Sequence, residues 1–313
     1  VYCQLLLGSG SISRNFMSDK QFSTGVIGVG SMGQNHARVY SKISNLVAVA
    51  DSNEEQGREV AERLGVKWYK NYEDMLTILD AVSIAVPTQM HKEVAEKVAE
   101  AGVHMLVEKP LAGSVEDAQQ IVAVAKTNDV VLAVGHIERH NPVVSYAKKA
   151  IDEGEWGRVI NISSKRVSRY PDRIKDVGVI FDLAIHDLDI IRYLSNSQLR
   201  SISAIGGAVE HTDKEDHASI LMNFESGMNA FCEVSWLTPM KIRQLTLTCD
   251  KAYVILDYME QSVKVLRSQA KNIDVSDLSA MENQIYEKSP KIVNDEPLKL
   301  ELQDFLNSVN THN

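Results

Sequence analysis

With 313 residues, 44% hydrophobic and 24% charged, the chain is long enough for two domains of ordinary size, each with its own apolar core. The formal net charge of −9 argues against a general nucleic-acid or anionic-membrane surface, and no run of about 18 apolar residues is present to span a bilayer. Cys3, Cys232 and Cys249 are odd in number and widely spaced, so they make neither a disulfide framework nor a metal-ligand cluster, which suits a reducing cytoplasm.

Residues 1–16 lack an initiator Met, a basic leading stretch and a small-residue cleavage site, and the apolar part, Leu5 to Leu7, is too short for a signal peptide. Met17 reads as a natural start, so residues 1–16 are set aside as of foreign or irregular origin, within an N-terminal extension over residues 1–22. Thr24 to Gly28 is then a short apolar run, followed by helical periodicity over Met32–Ser41 and a β-like run over Asn45–Ala50 that ends at Asp51. A helix over Glu54–Leu64 stops at Gly65, a suitable position for the left-handed residue that ends helices. The apolar strand Asp80–Val86 is halted by Pro87; His91–Ala101 is helical, His104–Val107 extended, Val115–Asn128 helical and Val130–Gly135 extended. Strands alternating with helices of this length predict a parallel, doubly wound sheet covered on both faces, over residues 23–137.

The pattern changes after His136. A helix over Pro142–Glu153 leads into β-like runs at Arg158–Val167, Arg200–Val209, His217–Phe224, Met228–Ser235, Ile242–Cys249, Ala252–Asp257 and Ser262–Leu266, with one helix, Val179–Leu194, between the first two. Mostly consecutive strands predict an α+β domain over residues 138–296 with a largely antiparallel open sheet. Residues 268–296 read as a polar surface connection, and a last helix starts at Pro297, within a closing segment 297–313 that can return to the first domain. An open sheet leaves one side uncovered, which predicts a homodimer or homotetramer through that side.

Gly28-Val29-Gly30-Ser31-Met32-Gly33 has the GxGxxG spacing, between a strand and a helix. The first glycine permits the tight turn, the second lets backbone approach a pyrophosphate, and the third allows close helix–strand packing; the helix N-terminus then points its N–H groups at the phosphates. The motif alone also fits a plain glycine-rich turn. Its context, with Asp51 18 residues past the third glycine at the end of the second strand, selects a Rossmann dinucleotide site. A carboxylate there accepts hydrogen bonds from the adenosine ribose, and no Arg or Lys follows in Ser52-Asn53-Glu54-Glu55 to neutralise a 2′-phosphate, so NAD is expected over NADP.

Two segments carry candidate chemistry. Glu108-Lys109-Pro110 follows an apolar strand, which puts Lys109 at the carboxyl edge where doubly wound sheets hold ligands; a surface lysine before a turn is the alternative. In Asp182-Leu-Ala-Ile-His186-Asp-Leu-Asp189 the i, i+4, i+7 spacing puts Asp182, His186 and Asp189 on one helical face. A histidine can take a hydroxyl proton while hydride leaves the same carbon, with a nearby carboxylate to orient its ring. An ordinary helix-face histidine, or a metal site, would use the same residues; hydride transfer needs no metal, and none is expected.

The order GVIGVGSMGQNHARVY, AVPTQMH, VEKPLA, GHIERHNP and DLAIHDLDIIRYL resembles the Gfo/Idh/MocA oxidoreductase family over about residues 24–310. The resemblance implies Lys109, Asp182 and His186 as the catalytic set: His186 as acid/base, Lys109 as substrate-orienting cation, and Asp182 as a group bonding substrate or imidazole. It also places Pro87, Thr88, His91, Glu108 and Lys109 along the cofactor, beside Gly28, Gly30, Ser31, Met32, Gly33, Asp51 and Ser52. Two departures stand out. Val177-Gly178-Val179-Ile180 replaces the glycine run of many members, which implies a stiffer loop, and the chain ends at Asn313 where members usually continue through another helix.

Family members oxidise inositols, free sugars, sugar acids or nucleotide sugars. Residues 165–175 hold five basic side chains in eleven, Lys165, Arg166, Arg169, Arg173 and Lys175. Arginine forks bind phosphate oxygens bidentately, so a diphosphate-linked sugar is a sensible ligand, a solvated basic loop being the alternative. The GHIERHNP and RYPDR segments are similar to those of members that oxidise C3 of UDP-N-acetylglucosamine. This implies substrate contacts from Asn141, Arg166, Arg169, Tyr170 and Arg173, besides Asp182 and His186. Related folds also host NAD-dependent glycosidases and non-catalytic regulators. Retention of Lys109, Asp182 and His186 argues against the regulator.

Overall fold

The structure, a computed structural model, describes residues 22–171, 177–210, 214–268 and 285–312. The extension at residues 1–21, and with it Met17, lies outside them, as do Arg173 and Lys175. The first domain is a six-stranded parallel sheet of β1 (Ser23–Ile27), β2 (Asn45–Ala50), β3 (Lys67–Tyr69), β4 (Ala81–Ile84), β5 (His104–Glu108) and β6 (Leu132–Gly135), ordered β3-β2-β1-β4-β5-β6. Its crossovers are α1 (Ser31–Ile43), α2 (Glu54–Leu64), the short α3 (Glu73–Leu76), α4 (His91–Glu100) and α5 (Val115–Thr127). Two of these helices start on side-chain caps: Asn53 accepts from the Gln56 N–H and Ser114 from the Asp117 N–H. The strand order reverses between β1 and β4, the place where such sheets open a crevice at their carboxyl ends.

The second sheet has eight strands: β7 (Val159–Arg169), β8 (Leu199–Gly207), β9 (His217–Phe224), β10 (Asn229–Ser235), β11 (Leu237–Cys249), β12 (Tyr253–Asp257), β13 (Ser262–Ser268) and β14 (Ile285–Lys288). Their order is β14-β13-β12-β11-β7-β10-β9-β8. All recorded pairings are antiparallel except that β10 runs parallel to β7. Helices α6 (Pro142–Asp152) and α7 (Ile185–Ser195) seal one face over a core that includes Trp156, Ile162, Ile190, Ile191, Leu194 and Phe224. On β9, buried Ala218, Ile220, Met222 and Phe224 alternate with outward residues, and exposed Leu221 sits across from β8, which carries exposed Ile202 and Ile205. No helix among the described residues is long and apolar enough to cross a membrane.

Four local readings need correction. β3 and α3 went unpredicted, because three or four residues give too little periodicity to register. Residues 285–288, expected to be surface connection, add edge strand β14. β7 runs on to Arg169, so Lys165, Arg166 and Arg169 belong to a strand rather than a loop. The expected helix over Val179–Leu194 opens as a π-turn over Ile180–Ala184 before α7 begins, which breaks the simple i, i+4 geometry between Asp182 and His186.

The last helix, α8 (Pro297–Thr311), lies on the first domain, where Leu298, Leu302, Phe305, Leu306 and Val309 share one apolar cluster with Val26, Ala37 and Tyr40. Glu296 at its start pairs with Arg38 of α1. Within this seam Glu301 is buried, and neither carboxyl oxygen has a hydrogen-bond partner among the described residues. Burial, with Glu108 and Asp304 adding like charge, pushes its pKa up from 4.5 to about 9. An acid whose folded pKa is raised costs stability progressively as pH climbs from its unfolded value towards its folded one, on the order of 3 kcal/mol by pH 7. Glu301→Leu is therefore expected to stabilise the fold in urea denaturation, with a larger gain at pH 8 than at pH 5; an equal gain at both would contradict this account.

Candidate active site

Two clefts border the Gly28–Gly33 turn. The first, of about 330 Å³, sits at the carboxyl ends of β1, β2 and β4 and is lined by Gly28, Gly30, Asp51, Ser52, Lys70 and Pro87 among others. Gly28 has φ +82°, and a Cβ there would lie 2.8 Å from the Ala85 carbonyl oxygen. At Gly33 a Cβ would stand 1.8 Å from the Gly28 carbonyl oxygen, so only glycine lets α1 close on the turn. Over Gly30, by contrast, a Cβ would meet nothing within 4 Å, and no side chain caps the start of α1. Unspent N–H donors facing open space at a helix N-terminus fit a pyrophosphate. Asp51 is held by the N–H groups of Val29 and Asn53, each 2.8 Å from one carboxylate oxygen, which fixes it beside the turn. These residues fit a dinucleotide. Lys70 and Tyr72, from beyond β3, also line this cleft and were not legible in the motif.

One residue expected along the cofactor has another role. His91 is buried with Nδ1 against the Pro110 carbonyl and Nε2 against the Val86 carbonyl, both at 2.9 Å, so it ties two loops together beneath the surface. Ser31, exposed, opens α1 at the dinucleotide turn, and half-buried Thr88 follows Pro87.

The second cleft, of about 360 Å³, lies where the domains meet and brings Met32, Glu108, Lys109, Asp182, His186 and Arg243 together, with Glu138, Asn141 and Tyr258 in its wall. Lys109 Nζ donates to the Asp182 carbonyl oxygen at 3.3 Å and stands 4.0 Å from its Oδ1. Behind it Glu108 Oε1 meets His36 Nε2 at 2.9 Å, while its Oε2 accepts the Lys109 N–H at 3.1 Å. His36 Nδ1 in turn meets Ser83 Oγ at 2.9 Å, so the backbone carrying Lys109 is anchored to the parallel sheet.

The carboxylates of the α7 segment each hold a different cation. Asp182 faces Lys109, Asp187 takes Arg166, and Asp189 takes Arg139 Nε at 2.7 Å and Nη2 at 2.5 Å. Asp189 thus does not line the cleft, contrary to the one-face expectation. No carboxylate orients His186 either: its Nδ1 is buried with no hydrogen-bond partner among the described residues. Burial, with the positive charges of Arg166, Lys109 and Arg243 added, holds its pKa well below the ordinary 6.5. A neutral imidazole beside a charged lysine can accept a proton.

Arg166 is where the sequence reading fails most. It is 2% exposed, with Nε 2.6 Å from Asp187 Oδ2 and Nη1 2.9 Å from Glu138 Oε1. Burial opposes its charge, but the two carboxylates outweigh it and raise its pKa. Turned inward onto two carboxylates and sealed from solvent, it is no phosphate clasp. Arg169 and Tyr170 open onto a different hollow with Trp236, whose ring Tyr170 meets edge-on. Asn141 caps α6 through Val143 N–H and gives its amide to Glu138 and the Tyr258 carbonyl. Arg243 and Glu138 were missed. The signal for Arg243 was a charged residue in step with inward Leu245 and Leu247 on β11.

Removing Arg166 strands two buried carboxylates, a loss of about 3–5 kcal/mol, whereas replacing both charges of a buried pair with apolar groups is often near neutral. Arg166→Gln is expected to lose that much in urea denaturation, and Arg166→Met combined with Asp187→Leu much less. Strict additivity of the single losses would rule out the coupling.

Residues 22–136 match the family model described as an oxidoreductase family with an NAD-binding Rossmann fold, and residues 144–255 match the GFO/IDH/MocA C-terminal domain. A UDP-N-acetylglucosamine 3-dehydrogenase of Acidithiobacillus ferrooxidans is 32% identical over 92% of this chain and 89% of its own length. Its solved structure superposes with a TM-score of 0.85 over 93% of this chain and 90% of that one. The scyllo-inositol 2-dehydrogenase (NAD(+)) of Bacillus subtilis is 30% identical over 82% of this chain and 80% of its own. With both domains matched in order, this chain belongs to the Gfo/Idh/MocA family of oxidoreductases.

Proposed function

We propose that the protein is an NAD-dependent dehydrogenase that oxidises a secondary hydroxyl of a nucleotide-linked hexose to the ketone, with C3 of UDP-N-acetylglucosamine as the position. The observation that carries this is the second cleft: a neutral, half-buried His186 beside Lys109 and Asp182, opening next to the dinucleotide turn. The near full-length relative named for UDP-N-acetylglucosamine supports the choice of sugar.

The substrate hydroxyl lies between Lys109 and His186. Lys109, held by the Asp182 carbonyl, donates to the hydroxyl oxygen and stabilises negative charge as it develops. His186 accepts the proton at its ring nitrogen, and the surrounding positive charges return it readily to the neutral form. NAD, when bound, supplies the acceptor for the hydride that leaves the same carbon. Asp51 favours NAD, because its carboxylate repels a 2′-phosphate; Lys70 in the same cleft is the cation that works against that preference.

The purified protein is expected to form NADH and a 3-keto sugar from UDP-N-acetylglucosamine. NADH is expected to bind at least about tenfold more tightly than NADPH in fluorescence titration, a difference of about 1.4 kcal/mol. Turnover of myo-inositol with no UDP-sugar oxidised, or tighter NADPH binding, would refute the corresponding half of the reading.

The pH profile follows from His186. The base works when neutral, so kcat/KM falls only as pH drops through its pKa, which lies well below 6.5. A plateau is expected from pH 8 down past pH 6.5, and His186→Ala is expected to lose about 10²–10⁴-fold in kcat while still binding NADH. An acidic limb centred at 6.5 or above would contradict the neutral base.

A further inference from the structure

We propose that Arg243 is the residue that receives an oxyanion of the substrate, and so sets the preference for a charged sugar. This rests on the dehydrogenase reading above and deepens it.

Arg243 on β11 stands directly across from Arg166 on β7 in the antiparallel register. Two like charges at one cross-strand position are unfavourable, so the arrangement calls for a reason. Both guanidiniums are drawn to Glu138, but unequally. Arg166 holds Glu138 Oε1 at 2.9 Å and Asp187 besides, whereas Arg243 has a single ionic contact among the described residues, 3.8 Å to that same, already shared oxygen. A guanidinium carries five N–H donors in a planar fork. Most of those on Arg243 are therefore unspent, on a side chain about one-third exposed that lines the cleft with Lys109 and His186.

A second group in this wall lacks a partner. The Tyr258 hydroxyl is buried with no hydrogen bond among the described residues, and Tyr258 lines the same cleft. Burial and the proximity of Arg166 also work against the charge on Arg243, with Glu138 and Asp187 offsetting only part of this. A fork with spare donors, short of counter-charge and close to the base, matches a bidentate oxyanion. In a nucleotide sugar the first phosphate is only a few bonds from the oxidised ring carbon, so one cleft can hold both. A carboxylate of a sugar acid offers the same chemistry, and binding measurements separate the two sources.

The test measures calorimetric binding of UDP, uridine and glucuronate to the protein saturated with NADH, for wild type, Arg243→Gln and Arg243→Lys. Circular dichroism melting and NADH affinity verify that each variant is folded. Loss of a charge-assisted hydrogen-bond pair is expected to weaken UDP about 10- to 100-fold in Arg243→Gln. Arg243→Lys should fall between, since it keeps the charge but loses the fork, and uridine should bind all three proteins alike. Equal UDP affinity in wild type and Arg243→Gln, or equal losses for UDP and uridine, would overturn the assignment. Binding of glucuronate but not UDP, with the same dependence on Arg243, would keep the oxyanion role and reject the nucleotide-sugar reading. Wild type that binds neither anion would overturn the assignment itself.

Discussion

The second cleft of this molecule rests on one buried guanidinium. Arg166 rises from the central strand of the second sheet and is gripped by Asp187, the residue after His186, and by Glu138, in the short helical turn (residues 137–140) that leaves the first domain. Sheet, α7 and interdomain turn therefore meet at a single side chain. In a low-dielectric seam such a joint holds firmly only while every member is present, because each charge is tolerable only by virtue of the others. A second joint, Asp189 with Arg139, fixes the same helix one turn-fraction further along.

Those joints set the chemistry as well as the geometry. Burial, with the charges of Arg166, Lys109 and Arg243 added, keeps the His186 imidazole neutral. Lys109 enters from the opposite side, on backbone anchored through Glu108 and His36 to Ser83 of β4. Lys109 and His186 thus come from separate domains and meet where the two pack together. The cofactor cleft is built differently, almost wholly from backbone: glycines that remove obstruction, an uncapped helix start, and one carboxylate tied down by two amides. Backbone shape governs there; side-chain charge governs at the seam.

This difference explains what could be read in advance. A glycine spacing between strand and helix is a local code, since the turn, the close packing and the following Asp51 all lie within one βαβ unit. The strand-and-helix alternation of the first domain was legible for the same reason, and β3 escaped only because it is three residues long. In the second domain the basic run 165–175 looked like a phosphate-binding loop. Strand alternation instead turned Arg166 inward and left Lys165 to pair with Glu233 outside. A count of charges in a window cannot distinguish those faces.

The sequence by itself determined the two-domain class, the dinucleotide turn, and the identity of Lys109, Asp182 and His186 as residues worth watching, because periodicity and short-range motifs are written in neighbouring residues. Only the tertiary structure decided which carboxylate answers which cation: Asp187 for Arg166, Asp189 for Arg139, and Asp182 for Lys109. It also brought Arg243 and Tyr258 into the cleft, and Lys70 to the cofactor, from positions far along the chain. The physical reason is that electrostatic role depends on distance and burial. Both are properties of the folded chain, fixed by residues that may be a hundred positions apart.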